Sequence, residues 1–347
     1  MTNTRHAGAT TTTARLPIAL FTTEYGGRFG PGRYDFTFLD DAFADVETAP
    51  ALIGYAEAKE YELWGEQFGL AAADELSRIL HHPYDMRLLP VKGKKMPTMV
   101  LFDPTVLALL FWGKKAKTVE PSKKGSLKLR VRGTNTSFGV HVDQWAHYDG
   151  AKRWSRAKQL DHWGGNDLPM LMMGDFNGTA SGLHLPQRKW GEAPRHKVHH
   201  KGIQLPDGSW GPDCRAMDHL LGEWIGKPGQ PGWHRAPGTR FVALAEIAHF
   251  EQGMSATQAF CPTVNNNIDN GGALLIDWIS FNDAWRTSGG DLVPDTYQVH
   301  IPKGTRRADY PSDHRLVTAT VELPVQLAVE DEWAMASNSA LNWELAV

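Results

Sequence analysis

Cysteine is scarce in this chain. Only Cys214 and Cys261 occur among 347 residues, far apart and with no second Cys or His at ligand spacing. That excludes a disulfide framework and a cysteine-built zinc site, and it points to a reducing, cytoplasmic setting. Long apolar runs are missing too: no segment reaches the length of a membrane span, and the opening MTNTRHAGATTTTAR has no apolar core of signal-peptide length. Threonine-rich and free of acidic residues, residues 1–15 read as a disordered leader. An excess of one charge is also absent. With 36 Lys and Arg against 39 Asp and Glu the net charge is −3, so bulk charge supplies no polyanion-binding face, and a local patch or a metal ion would have to do so.

What is present is an ordinary globular composition, long enough for a large core. LPIALFTTEYGG (16–27) reads as a buried strand ending in a glycine turn, and residues 41–58 as a helix followed by a second buried strand. EQFGLAAADELSRIL (66–80) has Phe68, Ala72, Leu76 and Ile79 at helical spacing, whereas MRLLPV, PTMVLFDPTVLALLFWG and SLKLRVRGTNTSFGVHV have the content of strands in a meander. Residues 149–163 carry a helical stripe, 273–281 and 315–323 read as strands, and the end is acidic. The stretch 183–238, rich in Trp, Pro, Gly and His, is too long for a plain connection and reads as an insertion. The organisation expected is therefore a leader at 1–15, one domain over 16–325 and a tail at 326–347.

The informative features sit where apolar runs stop. PMLMMGDFNGTASG (169–182) is a strand covered on both faces that ends at Gly174 and delivers Asp175 and Asn177. Elsewhere ALIGYAEA delivers Glu57, SFGVHVDQW carries His141, ALLIDWISF contains Asp277, and YPSDHRLV presents Asp313 and His314. Four of these segments, PALIGYAEA, GDFN, IDWISF and PSDHRLV, resemble in order and spacing the motifs of the endonuclease/exonuclease/phosphatase superfamily, the metal-dependent phosphoesterases related in fold to pancreatic-type deoxyribonuclease. The resemblance spans residues 16–323. It implies an α/β (α+β) fold, a four-layer α-β-β-α sandwich of two packed mixed β-sheets with outer helices, with the site at the edge where strand ends collect.

The resemblance also implies roles. A phosphate ester is anionic and repels hydroxide, so a divalent cation, Mg²⁺ or Mn²⁺, is expected on Glu57 and Asp313. Asp175 would orient and deprotonate water, Asn177 would donate to the developing charge, His314 held by Asp277 would supply a charged donor, and His141 a donor or general acid. Two departures stand out: Phe21 and Thr22 replace the usual Trp-Asn pair, and Ala56 replaces the usual Gln. Thr22 offers only a hydroxyl. GGRFGPG (26–32) matches no nucleotide-loop fingerprint but places Arg28 where it can meet phosphate. HKVHH (196–200) reads as a solvated loop. Lysines at 92–95, 114–117 and 123–128, with Arg130 and Arg132, form the one concentrated basic stretch, either a solvated hairpin or a track for a nucleic-acid backbone. The leading expectation is a phosphodiesterase acting on DNA or RNA. A phosphatase or phosphodiesterase for a small-molecule or lipid-headgroup ester, and a catalytically silent binder of phosphorylated ligands, are the rivals.

Overall fold

A computed structural model of the chain describes residues 12–89, 96–112, 126–264, 271–303 and 311–327. Most of the expected leader, the acidic tail beyond residue 327 and the lysines at 92–95, 114–117, 123 and 124 lie outside the described residues.

The first strand, Thr12–Thr22, sets the architecture through its period of two. Leu16, Ile18 and Leu20 join the core between two sheets, while Ala19 and Phe21 face a second core under the helix Gln67–Leu80, built from that helix's Ala72, Ala73 and Leu76. The strand runs parallel to Leu52–Ala56 and antiparallel to Val317–Val325. With Thr98–Phe102, Asp85–Leu89 and two short pieces at 291–292 and 298–299 it makes a seven-stranded mixed sheet. The second sheet is also mixed, with six strands in the order Phe241–Ala243, Asp277–Asn282, Met170–Asp175, Ser137–Gln144, Ser126–Val131, Leu107–Trp112. The helices Gly150–Lys158, Arg215–Leu221 and Asp283–Thr287 accompany this second sheet. The result is the expected α/β sandwich of two packed mixed sheets with helices outside them. Among the described residues, no helix is long and apolar enough to cross a membrane, and Cys214 and Cys261 are free.

Three boundaries differ from expectation. The first strand begins at Thr12, inside the expected leader, because Thr12 to Arg15 pair with Val325 to Glu322. Their side chains are largely exposed, so no apolar signal marks them. The strand expected from 273 begins at Asp277, and the one expected from 315 begins at Val317. The insertion is folded rather than irregular. It contains the short helix Val198–Lys201, the hairpin Gly202–Gln204 with Trp210–Pro212, and the helix Arg215–Leu221. Two buried ion pairs anchor it: Arg235 with Glu246 at 2.5 Å, and Arg153 with Asp213 at 3.4 Å.

Gly174 earns its place sterically. A Cβ there would lie 1.9 Å from the carbonyl oxygen of Asp143 on the neighbouring strand, and its φ of +157° is one that side chains rarely adopt. Gly174→Ala should therefore cost about 3 kcal/mol by forcing two central strands apart. Urea unfolding would read this as a lower midpoint at unchanged slope, and a midpoint equal to wild type would show that the strands yield freely.

Candidate active site

Register explains why the chemistry gathers at one edge. In the first sheet the two parallel strands end together, with Thr22 opposite Ala56, so Glu57 emerges immediately beyond the sheet. In the second, Asp175 lies opposite Gln144 on one side and Asp277 on the other. Packing the sheets face to face brings these ends around one cavity of about 200 Å³, lined among others by Glu57, His147, Asp175, Asn177, Lys201, Asp313 and His314. Glu57 and Asn177 hold left-handed backbone conformations, with φ of 60° and 49°. Strained non-glycine residues of this kind persist where the surroundings hold them, often at functional sites.

A buried chain of hydrogen bonds ties the two sheets together at this edge. Thr22 Oγ1 donates to Asp277 Oδ1 at 2.6 Å, and His314 Nδ1 donates to Asp277 Oδ2 at 2.7 Å. Burial alone would lower the His314 pKa, but Asp277, Asp175 and Asp313 outweigh it and raise it to about 10. The ring is therefore an imidazolium at neutral pH. Asp175 is buried and accepts from the backbone N–H of Asn177 at 2.9 Å and from its side-chain amide at 2.5 Å. Burial raises its pKa to about 6, with His314 pulling down and Asp277 pushing up. A carboxylate of that basicity suits proton abstraction from water near neutral pH.

Glu57 accepts from Gln144 Nε2 at 2.6 Å and from the Tyr25 backbone N–H at 3.2 Å. Burial raises its pKa to about 7, and Asp175 and Asp313 raise it further while His314 opposes them. Glu24, Glu57, Asp175 and Asp313 line the cavity together with Arg188, Lys197, Lys201 and His314, and the carboxylate oxygens suit Mg²⁺ or Mn²⁺. The residues therefore fit the implied metal, with Glu57 and Asp313 on the side where it would be held. A different set of metal-capable atoms also lies close together: Asp175, Asp277 and His314, within 4.8 Å of one another. There the imidazolium is bonded directly to Asp277 and offsets one of the two carboxylate charges, so that set reads as an ion-paired triad.

The structure thus brings together Glu57, Asp175, Asn177, Asp277, Asp313 and His314. It does not bring His141 or Arg28 to the cavity. His141 is 1% exposed, and its Nε2 lies 3.7 Å from Asp143, whose carboxylate is held by Arg156 of the helix Gly150–Lys158. Alternation along the strand puts it beneath that helix, and the strand's terminal side chain is Gln144. Arg28 is paired with Glu60 at 3.1 Å. Thr22 is fully buried and steadies Asp277 rather than meeting a substrate.

Two contributors went unread in the sequence. Gln144 ends its strand in register with Asp175, a pairing that only the fold reveals. The other is the HKVHH region: Lys197, His200 and Lys201 all line the cavity, so it is no solvated loop. Arg153 holds it there, donating to the carbonyls of Ala146 at 3.1 Å and His200 at 2.8 Å. Burial, with Lys201 and His200 nearby, lowers the His147 pKa to about 4, so this ring is neutral.

No family model and no curated protein matches the chain in sequence. Solved structures do match its architecture. ANGEL2, described as a 2′,3′-cyclic phosphatase in complex with adenosine-2′,3′-vanadate, aligns at a TM-score of 0.51 and 11% identity over 90% of this chain and 96% of that one. The chain shares the fold of that phosphatase, a two-sheet α/β sandwich. A mannosyl-6-phosphatase of Bacteroides thetaiotaomicron aligns at 0.46 and 13% identity, over 88% of this chain and 99% of that one. Truncated TDP2 of Caenorhabditis elegans aligns at 0.46 and 12% identity, over 88% and 97%.

Proposed function

We propose that this protein is a Mg²⁺-dependent phosphoesterase, with Mn²⁺ an alternative metal. The observation that carries the reading is the Asp175, Asp277 and His314 triad at the same cavity as Glu57 and Asp313. When bound, the metal supplies charge neutralisation and polarises the phosphoryl oxygen. Asp175 orients water and takes its proton, while the His314 imidazolium, aligned by Asp277, donates to the phosphate.

Nucleic acid remains the leading substrate class, and the cavity favours one form of it. At about 200 Å³ it is small for a ligand pocket, and the insertion forms part of its wall. A terminal phosphate ester, on a DNA or RNA end or on a nucleotide, fits such an enclosure better than a linkage inside a duplex. The same size supports a second reading, a small-molecule phosphate ester. Turnover of closed circular plasmid, end-labelled single-stranded DNA and RNA, and chromogenic mono- and diesters, with Mg²⁺, Mn²⁺ or EDTA, tests both. Metal-independent turnover, or none of any ester, would overturn the assignment.

Metal binding should be linked to protons. Glu57, with a pKa of about 7 before metal enters, must lose its proton to become a ligand. Mg²⁺ affinity should therefore rise about tenfold per pH unit below 7 and level off above it. Glu57→Gln should weaken binding and abolish that slope. Calorimetry at pH 6 and pH 8 checks this, and an unchanged slope in the variant would remove Glu57 from the metal side.

A further inference from the structure

The polar groups beside Asp175 are paired in a way that changes which residue can meet a substrate. Both amide hydrogens of Asn177 are committed, one to Asp175 Oδ2 at 2.5 Å and one to the carbonyl of Trp145 at 3.3 Å. Its Oδ1 accepts from the ammonium of Lys201. Reversing the amide would set an N–H against the ammonium and an oxygen against a carboxylate, so the network fixes the orientation. Asn177 therefore has no hydrogen left for a phosphate. Lys201 does. Burial lowers the Lys201 pKa to about 7, with Asp175 opposing the shift; in its ammonium form the group has three N–H donors, of which one goes to Asn177 Oδ1 and one to the carbonyl of His147 at 3.1 Å. The third has no protein acceptor among the described residues. Lys201 lines the cavity with Asp175 and His314, and its position is set by Arg153, which grips the backbone of the preceding His200.

We infer that Lys201, delivered by the insertion, is a second substrate-contacting cation beside His314 and donates to a non-bridging phosphate oxygen from the Asn177 side. The insertion thereby supplies part of the phosphate-binding apparatus, and the Asn177 amide serves as its support. A compact ammonium at that point favours a phosphate with several free oxygens, which agrees with a terminal ester.

This inference rests on the phosphoesterase reading, and inorganic phosphate separates the two. Lys201→Met, which keeps the length of the side chain, should lower kcat/KM about 100-fold and weaken phosphate binding about tenfold by calorimetry. Mg²⁺ binding should be unchanged. Lys201→Arg, which keeps the charge, should hold phosphate affinity within about threefold of wild type. Phosphate bound equally by wild type and Lys201→Met overturns the inference and leaves the phosphoesterase reading standing. A loss in Lys201→Arg as large as in Lys201→Met also overturns it, because the position would then serve packing rather than charge. Absence of ester turnover by the wild-type protein defeats the phosphoesterase reading instead, while the phosphate titrations still report on Lys201.

Discussion

Asp175→Asn should lower kcat about 1,000-fold while leaving the fold intact. The substitution keeps the shape and the acceptor that receives the Asn177 backbone N–H, but removes a cavity carboxylate that is fully buried and, unlike Asp277, not directly hydrogen-bonded to His314. A general base is worth roughly 10²–10⁴ in rate, and an amide cannot take a proton from water. The stability terms oppose each other. Burial raises the Asp175 pKa from 3.8 to about 6, so its charge disfavours folding once the pH exceeds the unfolded value, most fully above about 6. The neutral amide removes that penalty but faces a second amide at Asn177. With Mg²⁺ kept saturating at every pH, the wild-type kcat/KM should rise with pH through about 6, and the residual activity of the variant should lack that limb. A variant within tenfold of wild type, or one that keeps the limb, would take the base role away from Asp175.

The sequence exposed those parts of the site that lie at strand ends. Asp175 and Asn177 follow an uninterrupted apolar run, and Asp277 and His314 sit at the start of strands that such runs announce. Apolar burial therefore located them, while the fold class came from the resemblance of the motifs they belong to. His141 misled because proximity in sequence is not proximity in a pleated strand: it stands three residues before the strand end at Gln144 and on the opposite, helix-covered face of the sheet. Arg28 misled because a glycine-rich loop after a strand is compatible with many partners, and Glu60 is the one it takes. Lys201 was invisible for a different reason. Its position depends on Arg153 joining segments that lie 47 residues apart, and no local pattern encodes that. The pairing that makes Thr12 to Arg15 a strand is likewise non-local, since its partner is Val317–Val325.

Removing the imidazole should have an effect as large as removing the base. In His314→Ala the phosphate loses a charged donor, and kcat should fall by roughly 10²–10³, the scale for one preorganised donor aimed at developing charge. Asp277→Asn should fall less, since the amide oxygen can still accept from Nδ1 while the charge that keeps the ring protonated is lost. Stability separates this role from simple packing. Despite burial, which lowers it, the His314 pKa is raised from 6.5 to about 10 by Asp277, Asp175 and Asp313. A raised histidine pKa contributes stability that is fully present below about 6.5 and is lost as the pH climbs through about 10. The difference in unfolding free energy between wild type and His314→Ala should therefore be largest near pH 6 and shrink steadily to pH 10.5. Urea unfolding of both proteins across that range measures it, with the difference between them cancelling the lysines and tyrosines that titrate in both. A gap independent of pH would mean that His314 is held as a neutral ring, and the charged-donor role would fall with it.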